Sequence, residues 1–506
     1  MTQNEKTLDS QSDQIGEVME ELVLSPTGEE ESSGVSRLIP LSSDQVDGSY
    51  KRPMANDSFY FRDPLFTGIF IIHVLLSIAI SEFIRDNNEL GDTNSSNRNI
   101  ATKLHSVSAV TTMFSFVWLS LFVFVPRNQF LKASSAFSLT CLLIYGIRLF
   151  FLRYTSATLF GLIFAIALLF DVNWTFKSRN RMEFTAVLFE LIIEFFSKFS
   201  SMALLTIGLL IVYTSWACWI GTTVAALNEN DSPWQFSMLV LYFHFYWTSN
   251  VFKYVLTVVV AGSTAVWYFE DDSSRIARDN ISVHEIDRKS DPIQWRRLVT
   301  ANHKVILQYL RCSITTSFGS ICIGALLCPI VEILQTYLKW LECVKVSFIK
   351  RFSASQSAKL SEFIHAYHPF AFAHIAAHGK PFSLAAQDTW NLIDNQGVEG
   401  IIADDLTSKF LVLNAKGWAA LMSTLCSFAF RESNHEVFLT LLSFILSYSI
   451  LSIVMRVIGA VVDTLCICFA ESPSQLTQLH PIIYHRFVRL SEVKTFRDHK
   501  APLNGI

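Results

Sequence analysis

The sequence predicts an all-α, polytopic membrane protein of about ten transmembrane helices with a disordered amino-terminal tail. Of its 506 residues, 51% are hydrophobic and only 17% are charged, whereas charged residues make up about 25% of a typical soluble protein. Several separate apolar runs also reach the roughly 20 residues that a helix needs to cross a bilayer. The net charge of −4 gives no reason to expect a nucleic-acid partner.

Composition divides the chain into three parts. Residues 1–60 are polar and acidic, with Glu29, Glu30 and Glu31 in a row. We expect them to form a disordered cytosolic tail, because they lack the apolar area that offsets chain entropy. Residues 61–470 form the predicted transmembrane domain, and residues 471–506 a cytosolic carboxyl-terminal tail. The 9 cysteines lie mostly inside apolar runs, which favours reduced, packed thiols over a disulfide framework.

Nine apolar runs are predicted to span the membrane. They are Leu65–Ile84, His105–Val125, Ser134–Leu152, Thr155–Phe170, Ser200–Thr223, Leu239–Tyr268, Val305–Leu338, Phe410–Phe430 and Val437–Cys466. The connection Arg179–Phe199 differs, because Glu183, Glu190 and Glu194 recur in it at helical spacing. We expect this segment to lie along the membrane interface and to lead into the next span.

Lysine and arginine positions set the predicted orientation. Basic residues precede the first span, follow the fourth, crowd the loop after the sixth and recur in the carboxyl-terminal tail, whereas Ala225–Trp234 has none. Both termini are therefore expected in the cytosol, and Arg148 and Arg153 are exceptions on the outer side. Cytosolic termini require an even number of crossings. The tenth is predicted at Phe363–His378, a short segment that Pro369 should break.

The sixth span is richer in aromatic residues than a lipid anchor needs to be. Tyr242 and Tyr246 lie one helical turn apart, as do Phe243 and Trp247, so each pair shares a face. Rings turned toward a cavity would hold an alkylammonium group by cation–π attraction, worth about 0.5–2 kcal/mol each. The alternative is that these rings belong to the aromatic belts at the membrane surfaces. Asn250, four residues beyond Tyr246, is a candidate for an amide that orients a ligand.

Four segments carry a resemblance to a known family. They are YFHFYWTSNVFKYVLTVVVAGSTAVWYF (242–269), LRCSITTSFGSICIGALLCPIVEILQ (310–335), HGKPFSLAAQDTWNLIDN (378–395) and VVDTLCICFAESPSQL (461–476). In this order they resemble the choline transporter-like family, whose fungal and plant members are often called pH nine-sensitive proteins. The resemblance implies a solute carrier for choline or a related organic cation, ethanolamine included. Two positions depart from the pattern: Glu332 stands where we expect Gln, and Pro381 replaces a small or polar residue.

A cation of this kind needs aromatic faces and one acceptor. We therefore expect Tyr242, Tyr246 and Trp247 to contact the ligand, Asn250 to orient it, and a carboxylate to act as a distant countercharge. Carboxylates inside apolar helices are functional candidates by default. The two that qualify are Glu332, late in its span, and Asp463, which could equally be a carboxylate near the end of its helix.

Three glycines in the spans have two interpretations, close packing between helices or hinges of a gate. They are Gly262, Gly319 and Gly324.

Four histidines cluster around the predicted tenth span: His365, His368, His374 and His378. His374 and His378 lie one turn apart, but the sequence shows neither a third ligand at a defined spacing nor an acidic partner. No metal site is therefore predicted, and a proton-sensitive element is the alternative. The sequence also lacks a nucleophile elbow, a phosphate-binding glycine loop and an HExxH motif, so neither an enzyme nor a cofactor is expected.

The sequence thus predicts a plasma-membrane carrier that moves a choline-like cation by alternating access, with that cation and membrane lipids as its partners. Two alternatives remain open. The first is a lipid-handling protein, either a scramblase or a sensor of choline headgroups, which would need a groove open sideways to lipid. The second is a non-transporting membrane scaffold, which would show a packed interior without a void for a cation.

Overall fold

A computed structural model describes residues 61–89, 94–152, 155–179, 182–229, 235–269, 292–343, 363–395, 406–431 and 435–488, apart from positions 364, 480, 482 and 486. The predicted disordered tail, residues 1–60, and most of the predicted carboxyl-terminal tail lie outside the described residues. Arg153 lies outside them as well.

The described part of the chain confirms the all-α prediction. Its helices, in chain order, are α1 Pro64–Glu89, α2 Asn94–Phe124, α3 Arg127–Phe151, α4 Thr155–Ser178, α5 Met182–Lys198, α6 Ser201–Glu229, α7 Gln235–Tyr268, α8 Pro292–Ile314, α9 Phe318–Cys343, α10 Ala371–His378, α11 Phe382–Asn395, α12 Thr407–Ala429, α13 Glu436–Glu471 and α14 Pro473–Leu479.

Eight helices of the described chain are long and apolar enough to cross a membrane: α1, α2, α3, α4, α6, α7, α9 and α13. The predicted ninth run, Phe410–Phe430, corresponds to α12, whose apolar face is interrupted by Lys409 and Lys416. The predicted tenth segment contains α10, which begins just after a turn at Pro369 and Phe370. The eight helices of spanning length in the described chain are roughly consistent with the predicted architecture of about ten.

The expectation of one continuous span over Val305–Leu338 is wrong. The chain turns at Thr315–Ser317, between α8 and α9. Arg62, just before α1, reaches into this turn: its backbone N–H donates to the Thr316 carbonyl at 2.9 Å, and its guanidinium donates to Ser317 Oγ at 2.9 Å. Because side-chain and backbone partners from outside the helix satisfy these groups, the helical ladder can be interrupted here.

Two long helices, α7 and α13, form the centre of the bundle. With 34 and 36 residues, each is about 50 Å long, well beyond the roughly 30 Å of a hydrocarbon core. Arg456 Nε lies 3.4 Å from Thr257 Oγ1, and Tyr268 donates to the Ser472 carbonyl at 2.8 Å. Since the contacts advance together along both helices, α7 and α13 run in the same direction.

Arg148, an exception to the predicted charge pattern, is held in an ion pair. Its Nη2 lies 2.6 Å from Glu436 Oε1 in the first turn of α13, and its Nε donates to Ser427 Oγ at 3.1 Å. The guanidinium also lies over the Phe428 ring, 5.1 Å from its centroid. The positive charge at this position therefore joins α3, α12 and α13, so it need not report on orientation.

Helix α5 has the two faces expected of an interfacial segment. Phe189, Ile192 and Phe195 are fully buried against the bundle, whereas Glu190 is exposed and Glu194 pairs with Lys198 at 3.2 Å. A turn at residues 199 and 200 leads directly into α6.

The three glycines singled out in the sequence all lie where a neighbour comes close. A Cβ on Gly319 would collide with the Asp63 carbonyl oxygen, one on Gly262 with the Tyr309 ring, and one on Gly324 with the Phe372 and Phe382 rings. These positions serve close packing. Their role as hinges stays a prediction.

We predict that Gly319→Ala destabilises the protein, because the added methyl group meets backbone rather than a side chain that can move. Overpacking of this kind costs about 1–3 kcal/mol. The melting temperature of the detergent-purified protein measures the effect. Gly208→Ala in α6 is the matched control, since no atom lies within 4 Å of its added Cβ. An unchanged melting temperature for Gly319→Ala would contradict the close approach of the segment before α1 to α9.

Candidate functional site

The aromatic cluster of α7 contacts α1 and α9. Trp247 is only 2% exposed. Its ring centroid lies 5.2 Å from that of Phe70 and 5.0 Å from that of His73, both on α1. The His73 ring in turn approaches His244, with Nε2 and Nδ1 3.0 Å apart. Trp247 thus lies in a packed aromatic layer between helices.

Two side chains of this cluster hold α9 by hydrogen bonds to its backbone. Trp247 Nε1 donates to the Cys322 carbonyl at 3.0 Å, and the Tyr246 hydroxyl donates to the Leu326 carbonyl at 2.9 Å. The two carbonyls are one turn apart and precede Pro329, which lies inside α9. Because proline lacks an N–H and disturbs the helix before it, the bonds from α7 fix the part of α9 where its own ladder is weakest.

The other two predicted residues of α7 have different surroundings. Asn250 is buried and its amide donates to the Tyr246 carbonyl at 2.9 Å, so it is partnered within its own helix. Tyr242 is 39% exposed and lines a separate, largely apolar cavity of about 650 Å³, together with Phe160, Phe164 and Ile445. Tyr246 does not line this cavity, so the two tyrosines have different surroundings although they lie one turn apart.

A charge-balanced cluster lies among α7, α9 and α13. Arg456 pairs with Asp463 at 2.8 Å, and its guanidinium lies 5.8 Å from the centroid of the Tyr254 ring. Glu332 is within electrostatic range of Arg456, Asp463 and Lys253. Two basic and two acidic side chains thus share one region inside the predicted membrane domain, which we call the charged cluster: Lys253, Glu332, Arg456 and Asp463.

Glu332 differs from the other members of the charged cluster. Glu332 is exposed, whereas the Arg456 and Asp463 side chains are only 15% and 8% exposed. It interacts electrostatically with the phenols of Tyr246, Tyr254 and Tyr448 on the two central helices. Glu332 is thus an exposed carboxylate that also interacts with the two central helices, α7 and α13.

The Glu332 carboxylate is also unpaired. Among the residues that the structure describes, none makes an ion pair or side-chain hydrogen bond with it, and Lys253 acts on it only at longer range. An unpaired carboxylate inside a membrane domain is costly and marks a functional position by default. We call the exposed Glu332 carboxylate, together with the three phenols with which it interacts, the acidic hollow.

Sequence reasoning found some of this site and missed the rest. It named Tyr246, Glu332 and Asp463, which the structure brings into one region. It overlooked Lys253 and Arg456, although a lysine and an arginine in the middle of long apolar helices are the kind of signal that marks a functional or paired charge.

The histidines of the predicted tenth segment also have an acidic neighbour, so the expectation that none accompanies them is wrong. Glu471, the last residue of α13, places its Oε1 2.7 Å from His378 Nε2 and 3.7 Å from His374 Nδ1. This contact could not be predicted from local sequence, because Glu471 lies 93 positions from His378. His368 is separate, since its Nε2 lies 3.0 Å from the Ala386 carbonyl oxygen.

The described residues form helices, eight of them apolar and of spanning length, with a balanced cluster of charges among them, and such a chain is a multi-pass membrane protein. The family model described as plasma-membrane choline transporter matches residues 162–474, more than half of the chain. The chain therefore belongs to the choline transporter family, and the resemblance inferred from the sequence is confirmed.

Curated relatives agree with this assignment. The chain is 24% identical to a CTL-like protein of Dictyostelium discoideum over 394 residues, which are 76% of this chain and 66% of that protein. It is 23% identical to Protein PNS1 of Mycosarcoma maydis over 487 residues, 86% of each chain. Protein PNS1 of Saccharomyces cerevisiae is 23% identical over 436 residues, 78% of this chain and 74% of its own.

We predict that Trp247→Ala destabilises the fold by about 3–5 kcal/mol, the usual loss when a buried aromatic side chain is removed. The melting temperature in detergent should fall accordingly. Phe236→Ala is the control on the same helix, because Phe236 is 75% exposed and its loss should change little. If Trp247→Ala melts like the parent, the ring faces open space rather than the packed layer between α1, α7 and α9.

Proposed function

We propose that the protein carries a choline-like organic cation across the membrane by alternating access, with Glu332 as the countercharge. The observation that supports this best is the acidic hollow, where an exposed carboxylate without an ion pair in the described structure interacts electrostatically with Tyr246, Tyr254 and Tyr448. Membership of the family described as plasma-membrane choline transporter points the same way.

The chemistry of the acidic hollow fits an alkylammonium group. A quaternary ammonium has a permanent positive charge but no N–H to donate, so its attraction comes from aromatic faces and from a carboxylate acting through space. Tyr254 is buried and stacks on Phe372 of α10 with 4.2 Å between ring centroids, so in this proposal the partly buried rings of Tyr246 and Tyr448 offer the aromatic faces. The free hydroxyl of choline would find acceptors in the carboxylate and the phenol oxygens.

Lys253 and Arg456 limit the affinity of the acidic hollow for the cation. Arg456 neutralises Asp463 directly, which leaves Glu332 to the ligand and Lys253 at longer range. When the cation leaves, the ammonium of Lys253 compensates the carboxylate, so an empty carrier does not expose a bare charge inside the membrane. A carrier needs this property, because it must release what it binds.

Trp247 and Asn250, also predicted from the sequence, stabilise the helices that carry the acidic hollow. Trp247 and Asn250 shape α7 next to Tyr246, and the bonds to Cys322 and Leu326 hold α9 in register. In the proposal, the turn between α8 and α9 and the glycines at 262, 319 and 324 permit the helix movements of alternating access. The protein acts in the plasma membrane with both termini in the cytosol, where an inside-negative potential favours cation entry by about 2.3 kcal/mol per 100 mV.

We predict that Glu332→Gln impairs uptake of radiolabelled choline into proteoliposomes. A charge pair about 5 Å apart at an effective dielectric constant of about 20 is worth about 3 kcal/mol. Neutralising the carboxylate should therefore raise the apparent KM by at least about tenfold. Glu190→Gln is the matched control, since Glu190 is an exposed glutamate on α5 and its change should leave uptake as in the parent.

Two results would contradict the proposal at different points. Equal uptake by Glu332→Gln and the parent would remove Glu332 from the site. Absence of choline uptake by the parent above empty liposomes would exclude choline transport. Lipid scrambling by the same liposomes without choline uptake would favour the lipid-handling alternative, for which the largely apolar cavity beside Tyr242 is the candidate site.

A further inference from the structure

The carboxyl-terminal end of α13 meets α10 in a cluster of three potential metal ligands. His374 and His378 lie one turn apart on α10, and Glu471 comes from α13. One ligand atom from each residue lies within 4.8 Å of the other two. We call this group the His–His–Glu cluster. It is not part of the acidic hollow.

One ring nitrogen of the His–His–Glu cluster makes no hydrogen bond within the described structure. His374 is only 6% exposed, and within the described structure its Nδ1 is buried without a hydrogen bond. A buried ring nitrogen without a hydrogen bond destabilises the fold unless another group or an ion binds it. Glu471 Oε1, at 3.7 Å, is too distant for a hydrogen bond to that nitrogen.

The spacing of the three ligand atoms suits a small tetrahedral cation. Donor atoms around Zn²⁺ lie about 2.0–2.2 Å from the metal, and so about 3.3 Å from one another. The observed separations from Glu471 Oε1 are 2.7 Å and 3.7 Å. Small side-chain rotations therefore bring all three atoms to ligand distance. The exposure of His378 gives the ion a path to the cluster and leaves room for water as a fourth ligand.

We propose that the His–His–Glu cluster binds a divalent transition-metal ion, with Zn²⁺ as the best match to two imidazoles and one carboxylate. His374 Nδ1 coordinates the ion with its lone pair. The ion lies between His378 Nε2 and Glu471 Oε1, in place of their direct contact. The neighbouring Lys380 does not compete for Glu471, because it pairs with Asp388 at 2.6 Å. Binding fastens α10 to the end of α13, and this site does not depend on choline transport.

The chemistry also distinguishes this ion from the common hard cations. Mg²⁺ and Ca²⁺ prefer oxygen ligands and higher coordination numbers, whereas imidazole favours Zn²⁺ and its neighbours in the first transition row. Histidines must be deprotonated to bind, so metal affinity should fall as the pH decreases and binding should release protons.

The test uses the full-length protein, purified with a tag that contains no histidine and stripped of metal with a chelator. After incubation with Zn²⁺ and desalting, elemental analysis should find about one Zn²⁺ per chain, and the melting temperature should rise with Zn²⁺ but not with Mg²⁺. His378→Gln and Glu471→Gln should each weaken binding by at least about tenfold and remove the thermal shift. His365→Gln is the control, because the His365 ring stacks on Trp390 at 4.0 Å outside the cluster.

The proposal is overturned if the parent retains no more Zn²⁺ than Glu471→Gln, or if all variants retain it equally. A second measurement covers the case that the variants fail to fold. Co²⁺ added to the stripped parent should produce the intense visible absorption of a four-coordinate site, which excess Zn²⁺ abolishes. Only the weak absorption of octahedral Co²⁺ would contradict the proposed ligand set.

Discussion

Charge balance inside an apolar bundle is the constraint on which the rest of this structure depends. Two acidic and two basic side chains lie among three membrane-spanning helices, where an uncompensated charge costs several kcal/mol. The ion pair between Arg456 and Asp463 uses one charge of each sign. What remains is Glu332, which is accessible and unpaired within the described structure, and Lys253, which acts on it from a distance. The four charges of the cluster therefore sum to zero, although only Arg456 and Asp463 form an ion pair within it.

The position of Glu332 depends on how α9 is held. Pro329, three residues before it, weakens the helix, and hydrogen bonds from Tyr246 and Trp247 of α7 fix the two preceding turns. The segment before α1 closes the other end of α9, where the Asp63 carboxylate accepts hydrogen bonds from Ser320 and from the backbone N–H of Phe382. The helix that carries the carboxylate is thus supported by the segment before α1, by α7 and by α11, while Glu332 itself is exposed among the described residues.

The sequence predicted the class of fold because hydropathy and helix length are local properties. Most span boundaries followed from them, and the break at Pro369 followed from the chemistry of proline. The break between α8 and α9 did not, since it depends on Arg62, which lies 255 positions from its partner Ser317. Contacts between residues far apart in sequence also explain why the site could be predicted only in part. Tyr246 and Glu332 could be named from residue type alone, but the pairing of Arg456 with Asp463 and the approach of Glu471 to two histidines are tertiary contacts. Trp247, which composition suggested as a ligand residue, lies in a packed layer whose other half is supplied by α1.

The accessibility of position 332 tests the central claim most directly. Glu332→Cys should react with a water-soluble, cationic thiol reagent, and choline should slow the reaction because both compete for the same space. Val331→Cys is the matched control, since Val331 is only 1% exposed and should remain unmodified, with the native cysteines corrected for by the parent protein. Two results would contradict an acidic hollow that receives an organic cation. One is that neither cysteine reacts with the reagent, and the other is that choline does not change the rate of reaction at position 332.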